Sequence, residues 1–255
     1  MRDEVTEGRS AMKATPVPDH PVLELSNSSR ILCAGDLHIG IEEELKARGV
    51  HVPSQTFRME RELMALESGF DGLVLLGDVK HQIPGSTRQE YTEIPRFFSA
   101  MKRVFKTVHV VRGNHDGQLE DFLPEGVTLH PSSGFSIEDV GLAHGHTWPS
   151  PSVMARKKLV LAHNHPTMLF EEGLGNVVSE RCWLRCRLND KARQRYNELP
   201  EEVIVMPSLN RILGGSPINV RGGKLLGPLF ANDMVDLEGA EVYLLDGVFL
   251  GVLRN

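Results

Sequence analysis

The most informative segment of the chain is RILCAGDLH, residues 30–38, in which an apolar run ends in Asp36 and His38. The same pattern recurs in GLVLLGD, residues 72–78, and in TVHVVRGNHD, residues 107–116. Short apolar runs bounded by turn residues predict buried strands. Because each run closes on polar side chains, we expect three strands whose carboxyl ends share one site.

Two segments between these runs predict helices. Residues 54–68 begin with Ser54 as a candidate N-cap, and residues 88–102 form a weaker candidate that Pro95 interrupts. Strands that alternate with helices predict parallel pairing with right-handed crossovers. In such sheets ligands bind at the carboxyl ends of the strands, where the three polar tails lie.

The second half of the chain predicts shorter strands, at residues 127–129, 134–137, 140–143, 158–162, 183–188 and 203–205. A hairpin around Asp246-Gly247 is expected over residues 242–252, and a short helix over residues 150–157. The expected fold class is α/β, with two packed mixed β-sheets flanked by helices. We expect one domain over residues 21–255, preceded by a flexible lead-in over residues 1–20.

Composition limits the function classes. No apolar run among the 255 residues approaches the roughly 20 that a membrane span needs, and the polar first twenty residues lack a signal peptide's apolar stretch. Three cysteines, an odd number, suit a reducing cytoplasm. The formal net charge of -6 gives no global attraction to nucleic acid, so local patches would have to supply it.

The polar tails have the composition of a metal centre. After the Asp-x-His of residues 36–38 come Gly-Asp at 77–78, Gly-Asn-His-Asp at 113–116, His-Gly-His at 144–146 and His-Asn-His at 163–165. Alternate residues of an extended segment point to the same side, so each pair can converge. Two divalent ions about 3.5–4 Å apart need a shared carboxylate and further imidazole or amide ligands. Five such elements in order predict a two-metal site that accommodates Mn²⁺, Fe or Zn²⁺.

This series resembles the calcineurin-like metallophosphoesterase superfamily from Asp36 to His165. The segments DLHIG at 36–40, GDVKH at 77–81 and MPSL at 206–209 more narrowly resemble small bacterial and archaeal phosphoesterases related to the SbcD and Mre11 nucleases. These relatives include the DNA-ligase-associated group. The resemblance implies a four-layer α/β/β/α sandwich that uses two divalent metal ions, habitually Mn²⁺.

The resemblance also implies the metal ligands. The first metal would be held by Asp36, His38 and His165, and the second by Asn114, His144 and His163, with Asp78 as the bridge. His146 is the alternative to His144. The chain departs from the family at Ala162, where the last motif usually has Gly, and this bears on the local backbone because Ala avoids positive φ.

Three residues near these ligands are implied to act on the substrate or to support the site. His115 would protonate the leaving oxygen as general acid. His81 would either meet the scissile phosphate or support a metal ligand through a hydrogen bond. Asp116 would either orient His115 or cap a helix that starts at Gly117.

Three function classes follow. The favoured one is a metal-dependent phosphodiesterase, either a nuclease or a nucleotide phosphodiesterase, with a metal-bridging hydroxide and with DNA or RNA as a partner. The alternative is a phosphomonoesterase or phosphoprotein phosphatase, whose sign would be a fixed arginine such as Arg112 over a terminal phosphate. A non-catalytic binding module is least favoured because His115 is present.

Two further segments bear on partners. Residues 181–195 are strongly basic, and a strand there would turn Cys182 to the core while Trp183 and Arg185 point away, either to contact nucleic acid or as a solvated edge. Residues 41–53 form either a wall of the substrate site or a charged solvated helix. The apolar hairpin at 242–252 offers an edge for a homodimer.

Overall fold

The computed structural model describes residues 11–220 and 223–253. The first sheet has six strands in the order β1 to β6: Lys13–Pro16, Leu23–Ser26, Arg30–Ala34, Gly72–Leu75, Thr107–Val111 and Val127–His130. β3 to β6 pair in parallel, and β1 and β2 extend the sheet as antiparallel strands. The three apolar runs are therefore neighbouring parallel strands, and their polar ends lie at one edge of the sheet.

Three helices accompany this sheet: α1 is Ile41–Ala47, α2 is Thr56–Ala65 and α3 is Arg88–Val104. α3 starts with a capping box, because the Thr87 side chain accepts from Glu90 N and the Glu90 carboxylate accepts from Thr87 N at 2.5 Å. The expected interruption at Pro95 is wrong. Phe97, Phe98 and Met101 are buried in the core, and their packing carries the helix past the proline.

The second sheet is built from β7 to β15: Phe135–Ile137, Val140–Ala143, Lys158–Leu161, Pro166–Glu171, Val177–Leu188, Glu202–Val205, Ser216–Pro217, Val235–Leu244 and Phe249–Val252. Its order is β13-β10-β11-β12-β9-β8-β7, with β14 paired to β11 and β15 to β14. β9 pairs in parallel with β8 and with β12. β11 pairs antiparallel with β10, β12 and β14, and β14 pairs antiparallel with β15. The hairpin around Asp246 is present, with Asp246 Oδ1 accepting from Val248 N at 3.0 Å.

The two sheets pack face to face. Val74 and Val111 of the first sheet share a buried cluster with Val160, Trp183 and Ile204 of the second. The other face of the first sheet packs against α2 and α3, and that of the second against α4, Pro151–Met154, and α5, Pro228–Ala231. The predicted α/β class and the sandwich of two mixed sheets between helices are confirmed. Among the described residues, no helix is both long and apolar enough to cross a membrane.

The boundary of the lead-in at residue 20 is wrong. Residues 13–16 pair with residues 23–26, and Met12 is buried, with its backbone N donating to Asp139 Oδ1 at 3.0 Å. Cross-strand hydrogen bonds and the burial of Met12 and Ala14 stabilise this strand, which the polar composition of the first twenty residues does not predict. Residues 1–10 lie outside the described residues, and a single domain over 21–255 stays a prediction.

Trp183 also departs from expectation. It is 1% exposed and lies between the two sheets, whereas Cys182 and Leu184 are buried on the other face of β11. Both faces of the strand are covered here, so the alternation of apolar and polar residues does not separate core from solvent. Trp183 is therefore not an exposed platform for a base.

Candidate active site

The site forms where the loops after β3 and β4 hydrogen-bond to each other. Asp36 N donates to Gly77 O at 3.1 Å, and His38 N donates to Asp78 O at 2.8 Å. The loop after β5 joins them, because His115 N donates to Asp78 Oδ1 at 2.8 Å. The parallel ladder thus continues beyond the strands as a set of irregular but hydrogen-bonded loops.

Strained backbone is concentrated in these loops. Of the nine non-glycine residues with positive φ in the described chain, five are predicted metal ligands, with φ between 43° and 69°: Asp36, His38, Asp78, His163 and His165. Residues other than glycine seldom adopt a positive φ, and each residue that does so costs on the order of 1–3 kcal/mol. The surrounding fold holds these residues in this backbone, which turns their side chains toward one point.

The seven predicted metal ligands come together. Asp36, His38 and His165 place one ligand atom each within 4.8 Å of one another, and so do Asp78, His144 and His163. Asn114 Oδ1 lies 3.2 Å from His144 Nε2. The two groups adjoin, because Asp78 Oδ2 lies 3.4 Å from both His38 Nε2 and His144 Nε2.

The ligand atoms of the first group have the hydrogen-bonding state that a cation would complete. Asp36 Oδ1, His38 Nε2 and His165 Nε2 are buried and make no well-aligned hydrogen bond among the described atoms. Their nearest polar contacts are with other ligand atoms, since Asp36 Oδ1 lies 3.2 Å from His165 Nε2 and His38 Nε2 lies 3.4 Å from Asp78 Oδ2. Buried polar atoms without partners are rare and costly. A carboxylate and two imidazoles are also a ligand set that Mn²⁺, Fe or Zn²⁺ accepts, so the residues fit a metal.

The charges of the site point the same way. Burial would raise the pKa of Asp78, but the charge of His144 and the close approach of the His144 and His38 imidazoles outweigh burial and hold that pKa well below its usual range. Burial would lower the pKa of His144, yet Asp78 and Asp36 raise it to about 9. The buried carboxylates therefore draw positive charge into the site, which a divalent ion supplies more fully than a proton.

His115 stands beside the first group with one nitrogen fixed. Its Nδ1 lies 2.5 Å from His81 O, and because a carbonyl only accepts, Nδ1 carries the hydrogen. Its ring centroid lies 4.7 Å from that of His38. Nε2 is thereby the ring nitrogen that this hydrogen bond leaves available.

His81 is held by a carboxylate and contacts a predicted ligand. Its Nε2 lies 2.6 Å from Glu44 Oε2, and its Nδ1 lies 3.1 Å from His38 Nδ1. Its backbone N donates to Glu90 Oε1 at 2.8 Å. Of the two predicted roles, this geometry favours support of His38 through a hydrogen bond.

Asp116 does neither of the things predicted for it. Oδ1 accepts from Val79 N at 2.8 Å and from Lys80 N at 3.2 Å, and Oδ2 accepts from Gly113 N at 2.8 Å. These bonds tie the loop after β5 to the loop after β4, so the carboxylate neither orients the His115 ring nor caps a helix. Burial raises the pKa of Asp116 to about 6, with the charge of Asp78 as the next cause.

Two other candidates take defined positions. His144 is fully buried, with Nδ1 2.7 Å from Leu76 O, and it belongs to the Asp78 group, whereas His146 does not. Arg112 donates to Asp116 O at 2.9 Å and to Glu120 Oε2 at 2.7 Å, so it does not reach toward the ligands.

Several positioning residues were not predicted. Asn210 Nδ2 donates to Leu37 O at 2.8 Å, and Asn164 bonds both backbone groups of Leu226, fixing the segment between His163 and His165. The sequence predicts Glu44 only as part of the charged segment at residues 41–53. A signal exists for Asn164, since a buried amide between two ligands needs partners, but the partner of each residue lies far along the chain.

Comparisons with known proteins identify the family of the chain. A model of the calcineurin-like phosphoesterase family matches residues 29–205. The nuclease MPE of Pseudomonas putida is similar in structure, with a TM-score of 0.52 and 15% identity over 92% of this chain and 98% of that chain. Yfce, a phosphoesterase from E. coli, has a TM-score of 0.40 and 19% identity over 88% of this chain and 98% of that chain. A search of curated proteins finds no match.

At 15% identity, the similarity to the Pseudomonas putida structure bears on the fold alone. The family model covers well over half of the chain, from the start of β3 to the end of β12, and it spans the strand ends that carry every predicted ligand. The chain therefore belongs to the calcineurin-like phosphoesterase family, whose members hydrolyse phosphoester bonds.

Proposed function

We propose that the protein is a cytoplasmic, two-metal phosphodiesterase that acts on nucleic acid or nucleotide diesters. The observation that carries the proposal is the pair of adjoining ligand groups with His115 beside them. Mn²⁺ is the metal we propose. A homodimer through the β14–β15 hairpin stays a prediction.

The proposed ligands divide between the two groups. Asp36, His38 and His165 would hold one ion, and Asn114, His144 and His163 the other, with Asp78 between them. When bound, the ions supply a hydroxide nucleophile and neutralise the charge of the phosphoryl group. Asp78 is suited to the shared position because Oδ2 faces both groups while Oδ1 accepts from His115 N.

His115 is the proposed general acid. Its Nδ1–H donates a hydrogen bond to His81 O, which fixes the ring and leaves Nε2 to hold a proton for the leaving oxygen. His81 and Glu44 are proposed to hold this arrangement, because the ring of His81 stacks on that of His115 with centroids 5.5 Å apart.

One observation favours a diester over a monoester. A phosphomonoesterase needs fixed positive charge around a terminal phosphate, and Arg112 was the candidate for it. Arg112 is instead paired with Glu120. Arg112 is thus not available for that role, and a diester, which carries one negative charge less than a monoester dianion, needs less positive charge around it.

The test is hydrolysis of bis-p-nitrophenyl phosphate and p-nitrophenyl phosphate by protein stripped of metal and then supplied with Mn²⁺. We expect metal-dependent diester turnover that falls at least 100-fold in Asp78→Ala and in His115→Ala, the latter with metal content retained. His109→Gln is the control, because His109 contacts His130 on β6 and not the site. Turnover of the monoester alone would contradict the proposal in favour of a phosphatase. Bound metal without turnover of either ester would favour a binding module.

A further inference from the structure

Three arginines from three elements meet beside the candidate active site. Arg58 lies on α2, Arg181 on β11 and Arg211 on the loop after β12, and we call them the arginine cluster. Glu62, one turn after Arg58, lies among them. Its Oε2 is 3.8 Å from Arg211 Nη2, and its Oε1 is 2.9 Å from His20 Nδ1.

The loop that carries Arg211 runs along the metal ligands. Leu209 N donates to Gly35 O at 2.9 Å, and Asn210 Nδ2 donates to Leu37 O at 2.8 Å, so the loop borders the Asp36 segment on both sides of that ligand. Farther on, Gly214 O lies 3.2 Å from His165 Nδ1. Arg211 therefore projects from a segment whose two ends touch the loops of the first ligand group.

Arg181 is built into the same segment. Its Nη1 donates to Ser208 O at 2.8 Å and to Leu209 O at 3.4 Å. Arg58 Nη1 donates to Gln55 Oε1 at 3.1 Å. Both guanidinium groups keep other N–H groups for a further acceptor, since each guanidinium has five.

The cluster carries more positive charge than its carboxylates neutralise. Glu62 pairs with Arg211 and His20, and the exposed Glu180 is a second acid that acts on Arg181. Burial and the charge of Arg211 lower the pKa of Arg58, and the same two causes lower that of Arg181 to about 10. The side chain of Arg211 is 49% exposed, so the charge is open to a ligand from solvent.

We propose that the arginine cluster binds a backbone phosphate of a polynucleotide whose neighbouring phosphodiester lies in the metal site. Guanidinium forks match phosphate oxygens bidentately, and an anion here would relieve repulsion among the three charges. The inference rests on the proposed phosphodiesterase function and adds a substrate class to it, a chain with several phosphates in place of a lone diester.

The basic segment at residues 181–195 contributes little else to this surface. Arg185 is paired with Glu202, with Nη2 2.5 Å from Oε1, and the Arg195 guanidinium lies 4.1 Å from the centroid of the Trp148 ring. Of that segment, Arg181 is the member the structure joins to Arg58 and Arg211. The proposed phosphate site is thus assembled from distant parts of the chain and not from this strand alone.

The experiment compares an oligonucleotide with a small diester. Arg58→Ala and Arg211→Ala are assayed with Mn²⁺ on fluorescein-labelled oligothymidylates of two, four, eight and twelve nucleotides and on bis-p-nitrophenyl phosphate. Arg181 is left intact because it supports the loop. Arg103→Ala is the matched control, since Arg103 is an exposed arginine near the C-terminus of α3, which leads to the opposite end of the strands.

We expect each cluster variant to lower the ratio of kcat/KM for the dodecamer to that for the small diester by about tenfold, and Arg103→Ala to leave the ratio unchanged. In the His115→Ala background, the dodecamer Kd should rise by a similar factor. The binding constant K for the dodecamer decreases with salt, and the steepness of log K against log[salt] should decrease by about 0.7 for each phosphate that a variant no longer neutralises. The effect should vanish for the dinucleotide. If a cluster variant weakens inhibition by inorganic phosphate as much as it weakens binding of the dodecamer, the cluster is a free-phosphate site and the proposal is overturned.

Failure of the inference and failure of the proposed function give different results. If wild-type protein cuts the dodecamer and both cluster variants match Arg103→Ala, the phosphate site is wrong and the phosphodiesterase stands. If neither diester turns over but dodecamer binding still depends on Arg58 and Arg211, the proposed activity is wrong and the phosphate site stands. Thermal melts of every variant separate either result from misfolding.

Discussion

At the scale of single residues, the Asp116 carboxylate acts as a hydrogen-bond acceptor for the backbone. Its two carboxylate oxygens accept from three backbone N–H groups, those of Val79, Lys80 and Gly113, and it is completely buried. The loop that carries Asp78 and the loop that carries His115 are thereby locked together. Asp116 is a positioning residue for both.

Replacing Asp116 by Ala should therefore destabilise the fold as well as the site. Three buried donors would lose their acceptor, at a cost of about 1–3 kcal/mol each, so we expect a loss on the order of 3 kcal/mol or more in the free energy of unfolding. Urea titration measures it, with the exposed Asp121→Ala as control. A loss below about 1 kcal/mol would contradict this account of the carboxylate.

The residue scale also shows what the sequence could predict. Asp36, Asp78 and the histidines of the two pairs could be named in advance because each follows an apolar strand, and strand ends meet at one edge. The partners of Asp116 could not, because Val79 and Lys80 lie 37 and 36 residues away along the chain. A hydrogen bond of that range depends on how loops fold back, which no local pattern records.

At the scale of elements, the ends of β3 and β9 approach each other where the two sheets meet. A Cβ on Gly35 would lie 2.9 Å from Ala162 Cβ, so the space that Ala162 needs is left open by Gly35. Ala162 is not among the residues with positive φ, and it is fully buried. The departure of this chain from the usual glycine is thus accommodated from the other sheet.

This pairing predicts a rescue. Gly35→Ala should destabilise the protein by about 1–3 kcal/mol, because overpacking forces neighbouring strands apart. Ala162→Gly alone should cost about 1 kcal/mol, and adding it to Gly35→Ala should recover most of the loss. Urea denaturation of the four proteins measures the coupling. Additive losses in the double variant would mean that the two positions do not share the space.

A second pair of elements predicts an effect of pH. His130 on β6 stacks on Phe135 of β7 with centroids 3.6 Å apart, and burial, followed by the charge of His109, lowers its pKa to about 4. The unfolded chain protonates this histidine near pH 6.5 and the folded one only near pH 4, so stability falls as pH drops between these values. Above pH 6.5 the histidine contributes no pH dependence.

The comparison is the free energy of unfolding at pH 7.5 and at pH 5.0. His130→Gln should lose less stability over this interval than wild type, whereas His51→Gln, which alters an exposed histidine, should lose as much as wild type. Both variants are measured in chelator so that metal ligands contribute equally. Identical losses in wild type and His130→Gln would sink the assignment.

At the scale of the whole molecule, the candidate site joins the two sheets. Asp36, His38, Asp78 and Asn114 follow strands of the first sheet, and His144, His163 and His165 follow strands of the second. The two-sheet architecture was predictable because helices alternate with strands in the first half and short strands dominate the second. The burial of Trp183, the strand at residues 13–16 and the arginine cluster were not, because each depends on how the sheets are stacked and not on the pattern within one.

This architecture predicts that metal stabilises the protein as a whole. A ligand that binds only the folded state at 100 times its Kd adds about 2.7 kcal/mol, and for a chain of this size each kcal/mol is worth roughly 2–4 °C in Tm. Removing metal should therefore lower Tm by about 5–10 °C in a single transition, because ions held from both sheets resist their separation. Asp78→Ala should show little metal-dependent shift, while Asp121→Ala should shift like wild type. If Tm is the same with and without Mn²⁺ in wild-type protein, the ligands do not hold the two sheets together through a metal. A second, lower transition that appears only in chelator would instead mean that metal stabilises the loops and leaves the packing of the sheets unaffected.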